Sequence, residues 1–193
     1  MSETKEKRYK WRREDYRENT KGLLMVNTGD GKGKTTAALG VLVRAGGRGM
    51  NCILIQFMKS KNDRYGEHES LEKLGIEVHT MGDGFTWDTK DPAQDIATSE
   101  RTWELCVAKM RSEEYDLVVF DEIVYVLDYK FLDVKNVLSE ITEIRKSQPH
   151  LHILMTGRNA PPELLEAADL VTEMKEIKHP FHTGIYAQQG IEF

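Results

Sequence analysis

Residues 22–46, GLLMVNTGDGKGKTTAALGVLVRAG, constrain the fold more than any other stretch. A short apolar run (22–27) leads into a loop with glycines at 29, 31 and 33. The loop passes directly into a segment (34–46) whose Ala37, Leu39, Val41, Leu42 and Ala45 suit a buried helix. Strand, glycine-rich loop and helix N-terminus in that order form an anion site. Backbone N–H groups converge on it and the helix dipole favours negative charge. The usual phosphate-loop spacing is Gly, four residues, then Gly-Lys-Ser/Thr. Gly33-Lys34-Thr35 closes such a loop correctly, but its opening position is Thr28, and the first glycine, Gly29, stands one step late. Lys34 is expected to reach phosphate as a cation and the Thr35 hydroxyl to face Mg²⁺. Gly29, Asp30, Gly31, Lys32, Gly33 and Thr36 complete the nucleotide-contact set. Asp30 puts a negative charge where an anion should sit.

The rest of the chain repeats the alternation. CILIQF (52–57) is continuous and apolar, as expected for a strand covered on both faces. GEHESLEKLG (66–75) reads as a helix stopped by Gly75, and IEVHT (76–80) as a strand. A loop at 81–92 and a long helix near 93–112 follow. Then come a strand at 115–122, a helix near 133–146, a strand at 152–156, a short helix after Pro161-Pro162 and a strand at 170–174. Buried strands alternating with helices predict one α/β domain with a mostly parallel central sheet flanked by helices, spanning 21–193. Residues 1–20 are charged throughout, with Tyr9, Trp11 and Tyr16 among arginines and lysines. Such a segment cannot build its own core. It reads either as a frayed tail or as an arm that orders over a ligand or partner.

Charge and composition remove several classes. A net charge of −5 argues against a general nucleic-acid binder. No apolar run reaches the ~18 residues of a membrane span, and no hydrophobic signal segment opens the chain. Cys52 and Cys106 lie among apolar neighbours with no disulfide or metal spacing. The expected location is cytoplasmic.

A Mg-nucleotide site needs a carboxylate at the end of a neighbouring apolar strand, and LVVFDE supplies Asp121 and Glu122. Arg158, in MTGR after another strand, is expected at the same carboxyl edge of the sheet, where open α/β folds bind ligands. Arg44, within the first helix, is a further candidate phosphate contact, with a surface salt bridge as its alternative. Phe85 and Trp87, in the glycine-flanked loop GDGFTWD, break both helical and strand periodicity. They are candidates for covering a ligand or a partner. These motifs alone leave open a P-loop ATPase or small-molecule kinase, and a non-catalytic nucleotide-dependent binding module.

Together, TGDGKGKTTAALG, GFTWDT, LVVFDEIVYVLDY, TGR and KHPFHTGIYAQQGIEF resemble the ATP:corrinoid adenosyltransferases of the CobA/BtuR (CobO) type, in order, from about residue 22 to 193. The loop irregularity is part of the resemblance. The family pattern is Gly-Asn-Gly-Lys-Gly-Lys-Thr-Thr, with Asp30 here in place of Asn. The stretch 59–66 is less regular, and only Glu67 beside it is carried over as a contact. The resemblance implies a RecA-like domain that binds MgATP with the ribose C5′ facing the reaction centre. It implies transfer of the 5′-deoxyadenosyl group to the cobalt of cob(I)alamin or a precursor corrinoid, with release of triphosphate. Lys34 and Arg158 then stabilise the leaving triphosphate, with Mg²⁺ on Thr35 and Asp121 or Glu122. Phe85 and Trp87 match the aromatic pair beneath the corrin that displaces its lower axial ligand. A homodimer, an N-terminal arm closing over the partner's site, and a flavoprotein reductase or flavodoxin as electron donor are likewise implied.

Overall fold

A computed structural model describes residues 20–60, 62, 64–82 and 92–192. Among these the strands are β1 (Leu24–Thr28), β2 (Cys52–Ser60), β3 (Glu77–Gly82), β4 (Leu117–Asp121), β5 (His152–Thr156) and β6 (Leu170–Glu173). They form one sheet in the order β3-β2-β4-β5-β1-β6. Every pairing is parallel, so the expectation of a mostly parallel sheet is met in full.

The helices are α1 (Lys34–Gly46), α2 (Gly66–Lys73), α3 (Pro92–Arg111), α4 (Ile123–Asp128), α5 (Val134–Ser147) and α6 (Pro162–Ala167), with a 3₁₀ turn at Pro180–Thr183. Because strand side chains alternate, the central strands divide their apolar residues between two cores. Ile53, Ile55, Phe57, Val118 and Phe120 pack with Trp103 and Cys106 of α3 and Val137 and Ile141 of α5. Cys52, Leu54, Leu117 and Val119 face Ala38, Leu42 and Ala45 of α1 and Leu71 of α2. Both cysteines are buried and free, as expected, and burial pushes the Cys52 thiol up to about 11. Among the described residues no helix is long and apolar enough to cross a membrane.

Two boundaries differ from the sequence expectation in ways that shape the site. β2 runs on to Ser60 rather than ending at 57, carrying Lys59 to the carboxyl edge of the sheet. The strand expected at 115–122 stops at Asp121. Glu122 leaves it in a left-handed conformation (φ 65°, ψ 12°) as the N-cap of α4, a helix hidden in an unbroken apolar stretch. Asp121 and Glu122 are therefore not an alternating pair on one strand.

Candidate nucleotide site

The loop after β1 is tightly boxed. Gly29 (φ 92°) and Gly33 (φ 109°) hold left-handed conformations that favour glycine. A Cβ on Gly29 would stand 2.5 Å from the Met174 carbonyl oxygen, and one on Gly31 2.7 Å from the carbonyl carbon of Lys175. The Gly31 N–H donates to Met174 O at 2.7 Å, so the segment after β6 is laced to the loop. The Lys32 ammonium forms an ion pair with Glu192 at 2.6 Å.

The Lys34 ammonium donates to Gly29 O (2.6 Å) and Gly31 O (2.7 Å), folding back across its own loop. Burial lowers its pKa, and the nearby charge of Arg158 lowers it further, while Asp30 and Glu122 act in the opposite sense. Lys34, Arg158, Asp30 and Glu122 thus share one electrostatic neighbourhood. Thr36 is exposed on the first turn of α1. Arg44 lies in the last turn of that helix, about 15 Å along the axis from Lys34 at the usual rise per residue. It is the one described candidate the fold does not bring to the loop. Phe85 and Trp87 lie outside the described residues.

Asp121 is fully buried and saturated with donors. Its Oδ1 accepts from Thr35 Oγ1 (2.9 Å) and Thr156 Oγ1 (2.7 Å). Its Oδ2 accepts from Gln56 Nε2 at 3.1 Å and lies 3.6 Å from the Lys59 ammonium. Glu122 has the opposite environment. Its backbone N–H donates to Thr156 Oγ1 at 2.9 Å, while its carboxylate Oε2 is covered and has no hydrogen-bond partner among the described residues. Burial and then the charge of Asp121 push its pKa up to about 8. A buried acceptor without a partner is costly unless a ligand supplies one. Gly157 (φ 142°) lets β5 leave the sheet against α4, since a Cβ there would stand 2.7 Å from Val124 Cβ; Arg158 emerges exposed beyond it.

Gln56, Lys59, His68 and Thr156 belong to this cluster and are absent from the motif-based set. One signal was available: Gln56 is the lone polar residue in CILIQF, a strand buried on both faces. Glu67, carried over as a contact by the resemblance, ion-pairs with Lys59.

The family described as ATP:corrinoid adenosyltransferase BtuR/CobO/CobP matches residues 20–193. This chain belongs to that family. A corrinoid adenosyltransferase of Sinorhizobium sp is 46% identical over 90% of the chain and 81% of its own length. Those of Pseudomonas aeruginosa and Escherichia coli K12 are 40% and 36% identical, over 90% and 91% of this chain and 84% and 88% of theirs. Among solved structures, the flagellar accessory protein FlaH of Methanocaldococcus jannaschii shares the fold, with a TM-score of 0.51 and 10% identity over 79% of this chain and 70% of that one.

The resemblance of the loop sets the expectation for Asp30, which stands where the pattern it resembles has Asn. Asp30 is exposed beside Lys34, so Asp30→Asn removes a charge that would repel a triphosphate. The variant should bind ATP as tightly as the parent or more tightly, by calorimetry. Loss of binding would assign Asp30 a contact of its own.

Proposed function

We propose that this chain transfers the 5′-deoxyadenosyl group of ATP to the cobalt of cob(I)alamin or a precursor corrinoid, releasing inorganic triphosphate. The family match across residues 20–193 carries this reading, and the phosphate loop indicates which end of ATP is held. Cobalt(I) supplies the electron pair that forms the cobalt–carbon bond. The C5′–O5′ bond breaks and its pair leaves on the triphosphate. The protein need not supply a nucleophile. Its work is to hold C5′ in line, to stabilise charge on the leaving oxyanions and to exclude water.

The second task is assigned to Lys34 and Arg158, with the N–H groups at the start of α1. The donor set beside them, a threonine hydroxyl and carboxylates, fits a Mg²⁺ that keeps most of its coordination for water and substrate phosphates. Bound there, Mg²⁺ would neutralise triphosphate charge. Glu122 is assigned as the direct carboxylate ligand, because its Oε2 is the acceptor without a partner. Asp121 is assigned as the group that holds Thr35 in place, because its own oxygens are already engaged. Phe85 and Trp87 keep the role the resemblance implies, displacing the lower axial ligand so that cobalt(II) is easier to reduce. A homodimer, a flavoprotein or flavodoxin electron donor, and a cytoplasmic location complete the proposal.

The product split is the decisive test. Incubation with ATP, Mg²⁺ and chemically reduced cobalamin should give adenosylcobalamin and triphosphate in equal amounts, read from the cobalt–carbon chromophore and phosphate chromatography. Steady ADP release without corrinoid, at about 1 to 10³ per second, would identify an ATPase instead.

A further inference from the structure

Thr80 on β3, Gln56 on β2 and Asp121 on β4 stand opposite one another in the sheet register, so their side chains form one row across three strands. Each is hydrogen-bonded to the next. Thr80 Oγ1 donates to Gln56 Oε1 at 3.1 Å, and Gln56 Nε2 donates to Asp121 Oδ2 at 3.1 Å. At the outer end His68 of α2 joins the row, its Nε2 lying 2.6 Å from Gln56 Oε1. The Tyr65 N–H donates to His68 Nδ1 at 3.3 Å.

The proton positions follow from this pattern. Nδ1 is an acceptor, so neutral His68 carries its proton on Nε2 and donates to Gln56 Oε1. Two donors then fix the Gln56 carbonyl end, and its NH₂ must face Asp121. Gln56 is fully buried, so a reversed amide would set its carbonyl against a carboxylate with no water to intervene. The polarity of the row is set at Tyr65 and delivered to Asp121, whose other oxygen accepts from Thr35. α2 buries only Leu71. Its hold on the sheet depends in good part on this row and on the Lys59–Glu67 pair.

We propose that Gln56 and His68 are positioning residues for the metal–nucleotide site: they fix the Asp121 carboxylate, which in turn aims the Thr35 hydroxyl. The inference rests on the reading of Thr35 and Asp121 given above. Partners that orient the groups around a metal typically govern its affinity by ~10- to 100-fold. Among the described residues the row ends on Asp121, at the nucleotide side of the site. Its loss should therefore raise the Mg²⁺ needed for ATP binding and leave the KM for corrinoid alone.

The experiment is calorimetric titration of the full chain with ATP at graded Mg²⁺, without corrinoid, alongside steady-state kinetics and melting temperatures. Gln56→Met should raise the half-saturating Mg²⁺ by ~10-fold or more. His68→Leu should shift it in the same direction. His68→Gln places an amide donor where Nε2–H stood and should keep the parental value. The proposal is overturned if Gln56→Met keeps the parental Mg²⁺ dependence. It is equally overturned if His68→Gln is as impaired as His68→Leu, or if the losses fall equally on ATP and corrinoid constants and follow melting temperature. Thr35→Ala separates the two levels. Parental Mg²⁺ dependence in Thr35→Ala removes the site reading and the row's role with it. A defective Thr35→Ala beside an unaffected Gln56→Met removes the row's role alone.

Discussion

Lys34→Ala is expected to lower kcat for adenosyl transfer by ~10²- to 10³-fold, the usual cost of removing one preorganised charge from a water-excluded site. Two losses combine. The ammonium proposed to meet the leaving triphosphate disappears, and so does the clamp from Lys34 Nζ to the carbonyls of Gly29 and Gly31. Lys34→Arg separates them, because a guanidinium keeps the charge and cannot reproduce a compact ammonium between two carbonyls. It should bind triphosphate, measured directly with the inorganic anion, yet turn over slowly. Parental turnover in Lys34→Ala would place the leaving-group cation elsewhere, with Arg158 the first alternative. Lys34 is half-buried and bonds only to its own loop at the first turn of α1, so folding should change little, and the melting temperature serves as the control.

Glu122→Gln should be both more stable and far less active than the parent. The Glu122 carboxyl titrates near 8 in the fold against 4.5 for an ordinary glutamate. Between those values the unfolded chain releases a proton that the folded chain keeps. Stability therefore falls as pH rises through that window and levels off above about 8. At 1.36 kcal/mol per unit, the loss reaches a few kcal/mol. Glu122→Gln removes it. Without nucleotide the variant should melt several degrees above the parent at pH 8.5 and together with it near pH 4.5. Its Mg²⁺-dependent turnover should fall by ~10²-fold as a proposed ligand is lost. Parallel melting curves at both pH values would mean that Glu122 is solvated in solution. This is a site whose electrostatic strain is held for binding.

The loop and the sheet class were legible because both rest on local chemistry. Glycines at fixed spacing between an apolar run and a helix admit few structures. Continuous β-branched runs such as CILIQF belong to strands covered on both faces. α4 was illegible because IVYVLD continues the apolar character of LVVFD, and only the left-handed turn at Glu122 separates strand from helix. A non-glycine residue with positive φ leaves no mark in a single sequence. The donors around Asp121 escaped for a different reason. Gln56, Thr156 and Thr35 come from three separate segments, and only strand order makes them neighbours. Arg44 shows the converse: it is close to the loop in sequence, and three turns of helix carry it away.

The position of β1 has a consequence for biosynthesis. Among the described residues, the strand that launches the phosphate loop pairs only with β5 and β6, the last two strands described. The Leu23 and Leu24 N–H groups find acceptors on His152 and Asp169, 129 and 145 residues further on. On the ribosome, β1 emerges before β5 and β6 and waits for them while the more than 120 residues between are made. Such long-range pairing closes late and slowly. Nascent chains stalled before β5 should therefore hold a collapsed β2-β4 nucleus that cannot retain ATP. Nucleotide capture then reports that β5 and β6 have joined the sheet.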